Sequence, residues 1–271
     1  MKFVRRLHPV HRILHVFMAL SFLGLVASGM PLKYANAPWA DWLVRLMGGY
    51  RGAGLVHRTC AVITFGYFMV HILYVIYTIA VVRRSQFNVF GPESMVPGIK
   101  DIRDIYHNIK WFLGEGPVPR FDRWTYWEKF DYWAVFWGVG MIGISGLLLW
   151  FPQFFGNFLP GWVFNIATII HSDEALLASG FIFTIHFFNT HLRPEKFPMD
   201  TVIFTGKLSL EELRHERPEE YQRLVEEKAL GKYETMAPSV GFILISSLFG
   251  FAIVASGFFL LALIVMGQFF Y

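Results

Sequence analysis

The chain is short of the residues on which compact soluble enzymes usually rely. Cysteine occurs once in 271 residues, at Cys60. That excludes an intrachain disulfide, a four-cysteine iron–sulfur site and the Cys-x-x-Cys-His attachment of a c-type haem. Charge is scarce too: Asp, Glu, Lys and Arg make up 16% of the chain, where a soluble domain carries about 25%. No low-complexity tract interrupts the sequence, no internal repeat stands out, and the polar connections are too short to be independent domains. Hydrophobic residues (55%) and aromatic residues (18%) fill the chain instead.

Five apolar runs, 13–30, 55–82, 132–151, 163–190 and 240–270, each approach or exceed the roughly 20 residues that cross about 30 Å of hydrocarbon. They predict an all-α integral membrane protein: a four-helix bundle over 1–192, including a loop at 83–130, a second loop with short helices over 193–237, and an additional C-terminal transmembrane helix over 238–271. Basic residues sort between the connections. Lys2, Arg5, Arg6 and Arg12 precede the first run, eight lie between Arg83 and Lys129, and eight between Arg193 and Lys232; only Lys33, Arg45, Arg51 and Arg58 fall on the other side. The positive-inside rule then predicts a cytoplasmic N-terminus, cytoplasmic long loops and a periplasmic C-terminus, in a bacterial inner membrane. The net charge of +4 reflects this topology, and nucleic acid is not an expected partner. Ala35-Asn36-Ala37 resembles a signal cleavage site, but the preceding run is long and Pro38 follows, so the first run is expected to be a retained helix.

Within the loops, Ile102, Ile105, Tyr106, Ile109, Phe112 and Leu113 fall at helical spacing among Lys and Asp, predicting a helix on the membrane surface that ends at Gly114. Ser209 with Glu212 reads as a capping box, and Pro218 is placed to open a further helix.

Histidine is where the chemistry concentrates. An unpaired polar atom in hydrocarbon costs several kcal/mol, so imidazoles inside apolar runs need partners. His57 and His71 lie fourteen residues apart in the second run, roughly 21 Å along nearly one helix face. His171 and His186 lie fifteen apart in the fourth. Both runs cross in the same direction, so His57 matches His171 in depth and His71 matches His186. Two levels of paired imidazoles suit the opposed axial positions of two b-type haems, whereas zinc gathers four ligands at one point. His8, His11 and His15 cluster at the start of the first run, and His15 is deep enough to compete with His71 for the inner level. A third haem on leftover histidines such as His8, His11, His71 or His191 is a further option.

The stretches "RILHVFMALSFLGLVASGMPL", "GLVHR", "FWGVGMIGISGLLLWFP", "IIHSDEALLASGFIFTIH" and "RPEEYQRL", spread over residues 5 to 225, resemble the formate dehydrogenase gamma-subunit family of di-haem cytochromes b, which is similar in turn to the b-type subunits of membrane hydrogenases. The resemblance implies one ligand from the first span, one from the second and two from the fourth: His15 and His186 for an inner haem b, His57 and His171 for an outer one. His71 is then an alternative inner ligand or part of a quinone site, with His186, Asn189, Tyr74 and the surface helix around 106–111 as further candidates. The chain departs from the family in its fifteen-residue spacing, which suggests a local bulge or a different ligand, and in its fifth run.

The implied role is a quinone-reactive electron-transfer subunit of an oxidoreductase complex, exchanging electrons with menaquinone or ubiquinone and with a periplasmic c-type cytochrome or iron–sulfur partner. A proton-coupled transporter using histidines and a haem-free membrane anchor are the alternatives. Arg12 and Arg58 each neighbour a proposed ligand and are candidates to pair with haem propionates, or to anchor and snorkel at the interface. Glu174 reads either as a proton acceptor near the outer level or as an acid suited to a helix's first turn. The fifth run, free of charge and histidine, is expected to pack against a partner subunit.

Overall fold

The computed structural model describes residues 2–82 and 88–270; Arg83 and Arg84, counted above among the loop's basic residues, lie outside that range. Among the described residues, five helices are long and apolar enough to cross a membrane: Pro9–Lys33, Gly49–Val82, Tyr126–Trp150, Trp162–Leu192 and Val240–Phe270. The protein is a multi-pass helical membrane protein. Most of these helices begin or end several residues beyond the apolar runs, because backbone hydrogen bonding continues where the side chains turn polar. Between the first two spans, Pro38 opens a short helix, Pro38–Leu46, where its missing N–H costs nothing.

The fourth span changes pitch. Its α-helix, Trp162–Phe181, passes into π-helical turns at Ile182–His186 and Phe188–Leu192. A π-turn bonds i to i+5 and so takes up an extra residue. The fifteen-residue step from His171 to His186 therefore contains the local bulge that its length suggested.

Contacts divide the chain into two compact units. The first gathers Met1–Arg12, Leu73–Ala134 and Thr201–Ser246. It contains a feature the sequence reading did not anticipate, a small antiparallel sheet in the order β2-β1-β3. Strand β1 (Phe3–Arg5) pairs Phe3 with Ser209 and Val4 with Leu208 of β2 (Lys207–Ser209), and Phe3 with Thr235 of β3 (Glu234–Thr235). Val4, Leu208, Leu213 and Leu224 form its core. The capping box is present: the Ser209 hydroxyl accepts from the Glu212 amide at 3.1 Å, and the Glu212 carboxylate accepts from the Ser209 amide at 3.0 Å. The further helix runs Pro218–Glu226.

Basic residues in this unit form a network of ion pairs. Arg6 donates to Glu220 at 2.9 Å and to the Arg123 carbonyl, Arg123 donates to the other Glu220 oxygen at 2.8 Å, and Arg217 donates to Glu128 at 3.0 Å. Arg6 and Glu220 are buried. Burial and the neighbouring Arg217 push the Arg6 guanidinium down to about 10, against the pull of Glu128 and Glu220; it stays charged at neutral pH.

The second unit, Ile13–Ile72, Val135–Asp200 and Ser247–Tyr271, has a core of Val26, Met30, Tyr34, Phe183, Val254 and Leu263 with their neighbours. Here the fifth span packs against its own chain. A Cβ on Gly257 would come within 2.5 Å of Phe187 and 2.8 Å of Phe183, so a glycine is required for this close approach. Gln268 at the end of the span donates to the hydroxyl of the buried Tyr34 at 2.5 Å.

Candidate functional site

Two histidine pairs form within the second unit. The rings of His15 and His186 lie 6.5 Å apart between centres, and those of His57 and His171 lie 6.1 Å apart. An imidazole nitrogen bonds a first-row metal at about 2 Å, and its ring centre lies about 1.1 Å beyond, so two imidazoles opposed across one ion sit roughly 6 Å apart. Both pairs match that separation. Among the described residues no three or more His, Cys, Asp or Glu side chains gather around one point.

The partners of the His57–His171 pair also select its tautomer. His171 Nδ1 lies 2.9 Å from the Ile142 carbonyl, which can only accept, so Nδ1 carries the proton and Nε2 keeps its lone pair. His57 Nδ1 lies 3.0 Å from the Ser28 hydroxyl, whose single proton is given to the Gly24 carbonyl at 2.5 Å. Ser28 therefore accepts from His57, and His57 too presents a bare Nε2. A second partner that fixes the tautomer and raises basicity is the usual support of a metal-bound histidine.

Small residues make room for both rings. A Cβ on Gly29 would come to 3.3 Å from His57 Cε1, and one on Gly146 to 2.9 Å from His171 Cε1. Ser28-Gly29 on the first span and Ser145-Gly146 on the third thus play matching parts; Ser145 Oγ lies 3.5 Å from His171 Nδ1 and donates to the Met141 carbonyl at 2.6 Å. Sequence reasoning missed these residues. Ser-Gly recurs in four spans, at 28–29, 145–146, 179–180 and 256–257, and only the contacts to His57 and His171 single out the first two.

At the His15–His186 pair, His15 Nδ1 is buried without a hydrogen-bond partner among the described residues, and so is His191 Nδ1. His191 lies five residues beyond His186, on the next π-turn. His71, level with His186 by the sequence argument, packs its ring edge-on to Phe136 at 6.1 Å. The residues present fit two bis-imidazole haems, with His15 rather than His71 facing His186.

The other candidates have their own partners. Arg12, in the first unit, donates from Nε to the Phe204 carbonyl at 2.5 Å and lies over the Phe242 ring. Arg58 is exposed and folds back towards Gly54. Tyr74 contacts the rings of His8 and His11 at 5.7 and 5.2 Å. Glu174 accepts from the Trp137 indole at 3.3 Å. It stands twelve residues into a helix that starts at Trp162, so the first-turn reading of this acid does not hold. Its neighbour Asp173 pairs with Lys33 at 2.7 Å.

The fold defines a class, the multi-pass helical membrane protein, here with two pairs of neighbouring histidine rings. Compared with protein-family models and with curated proteins, the chain matches none.

Proposed function

We propose that the chain is a di-haem b-type cytochrome subunit of a membrane redox complex, related to the formate dehydrogenase gamma-subunit and hydrogenase cytochrome b family. It exchanges electrons between membrane menaquinone or ubiquinone and a periplasmic c-type cytochrome or iron–sulfur subunit, in a bacterial inner membrane with the N-terminus in the cytoplasm. The observation that carries this reading is the pair of ring separations, 6.5 and 6.1 Å, at two levels of one bundle.

In this role His57 and His171 hold the outer haem and His15 and His186 the inner one; each bound haem supplies one-electron redox chemistry. Ser28 and the Ile142 carbonyl keep the outer imidazoles in the tautomer that binds iron. Gly29 and Gly146 leave the space that those rings occupy beside the neighbouring helices. The Phe, Leu and Ile side chains that fill the spans suit an apolar macrocycle.

The test is haem-to-protein stoichiometry with a reduced-minus-oxidised spectrum. Wild type should bind two haems, His15→Ala and His57→Ala one each, and His71→Ala two. Purified wild type without a b-type spectrum would overturn the proposal and leave a transporter or a bare anchor. Loss of one haem in His71→Ala but not in His15→Ala would reassign the inner ligand.

A further inference from the structure

The helix Ile99–Phe112 has the reverse of a soluble surface helix's polarity. Asp101, Asp104 and Asn108 are buried, whereas Ile99, Ile102, Tyr106, Ile109 and Phe112 are exposed; Asp101 is 6% exposed and Ile102 68%. The buried polar edge is fully engaged. Asp101 accepts from Lys129 at 2.9 Å and from the Gly98 amide at 2.7 Å, Asp104 accepts from Lys100 at 2.8 Å, and Asn108 donates to the Tyr126 hydroxyl at 2.7 Å. Tyr126 and Lys129 belong to the first turn of the third span. The helix is thus fastened to the place where a membrane-crossing helix begins.

At about 100° per residue the helix divides into three arcs. Phe112, Ile109, Ile102, Tyr106 and Ile99 cover about 140° of its outer surface. Lys110, Arg103 and His107 follow beside them, and the Lys110 ammonium lies 5.0 Å from the Tyr106 ring centre. Both acids of the helix are turned inward and paired, so its open surface carries apolar and basic groups only. A water-facing helix would bury the isoleucines and expose the aspartates. Apolar side chains bordered by cations match acyl chains bordered by anionic headgroups.

We propose that this helix lies in the bilayer surface, with its apolar arc among the acyl chains and Arg103, His107 and Lys110 against anionic phospholipid headgroups. Such a helix sits about 5–10 Å into the boundary between headgroups and chains. The proposal stands apart from the haem assignment, since no histidine of either pair takes part in it.

The experiment uses the full chain with Cys60→Ala and one nitroxide-labelled cysteine at a time: Ile102→Cys, Ile109→Cys, Arg103→Cys or His107→Cys, all exposed positions. Each variant is reconstituted in phosphatidylcholine vesicles with and without phosphatidylglycerol. At 102 and 109 collisions with oxygen should exceed those with a water-soluble nickel chelate several-fold. At 103 and 107 the ratio should shift towards the chelate. Phosphatidylglycerol should deepen the label at 102. Chelate-dominated collisions at both 102 and 109 would put the face in water and overturn the proposal. So would low collision rates with both reagents and an immobilised spectrum, which would mean that protein covers it. Equal depth in the two vesicle types would refute the part given to the basic arc.

Discussion

The glycines beside the histidines offer a graded perturbation. A methyl added at Gly146 would lie 2.9 Å from His171 Cε1 and 3.2 Å from Nδ1, one at Gly29 would lie 3.3 Å from His57 Cε1, and one at Gly140 meets nothing within 4 Å. Carbon contacts are comfortable at about 3.5 Å or more, so Gly146→Ala must displace the His171 ring by about 0.6 Å, whereas Gly29→Ala asks for about 0.2 Å. Overpacking of this kind costs about 1–3 kcal/mol, while alanine in place of a helical glycine returns up to about 1 kcal/mol. Gly140→Ala should then be neutral or stabilising, Gly29→Ala close to neutral, and Gly146→Ala a net loss of up to about 2 kcal/mol, or roughly 30-fold in haem affinity at 1.4 kcal/mol per tenfold. The assay is haem retention on dilution or with an apo-protein acceptor, together with the low-spin ferric resonance that reports the angle between the two imidazole planes. A resonance and retention in Gly146→Ala identical to Gly140→Ala would refute the argument that His171 is held against the third span.

Ser28→Ala removes one acceptor from His57 Nδ1–H and leaves only the Leu25 carbonyl, so the imidazole becomes a weaker donor and the ferric state is less stabilised. With a net hydrogen bond of about 0.5–1.5 kcal/mol, potentiometric titration should show one of two haem potentials raised by roughly 20–60 mV and the other unmoved. Glu220→Gln leaves the buried Arg6 and the partly buried Arg123 without their shared carboxylate. Breaking a buried pair from one side costs about 3–5 kcal/mol, which limited proteolysis of the loops should report as faster cleavage while the haem spectrum persists. The two sites should also differ in tenacity: His57 and His171 have their Nδ1 atoms satisfied, whereas the buried Nδ1 of His15 lacks a partner among the described residues and carries a penalty of about 1–3 kcal/mol. In a urea titration the haem whose loss is mimicked by His15→Ala should leave first.

Spans, capping box and the helix of the first loop were legible because each rests on local composition or spacing, which the chain carries in one dimension. Spacing alone carried the pairing of histidines only to the level of depth, and it was the family resemblance that put His15 opposite His186. His15 and His71 both reach the level of His186, and a helical sequence says how far along the axis a residue lies but not which neighbour its face meets; packing turned His71 towards Phe136 and His15 towards His186. The tiny sheet escaped because three-residue strands are too short for a period of two to register. Arg6 and Glu220 escaped for a different reason. A basic residue before a membrane span has a sufficient explanation in topology, and nothing in its surroundings betrays that a glutamate more than two hundred residues away will enclose it. The same holds for Ser28-Gly29 and Ser145-Gly146, which pass as ordinary close-packing residues of membrane helices until a ring is found against each. Where two physical demands select the same residue type, the sequence records the residue and not the reason; here the glycine that lets helices approach is also the glycine that leaves space for an imidazole, and only the 2.9 and 3.3 Å contacts separate the two.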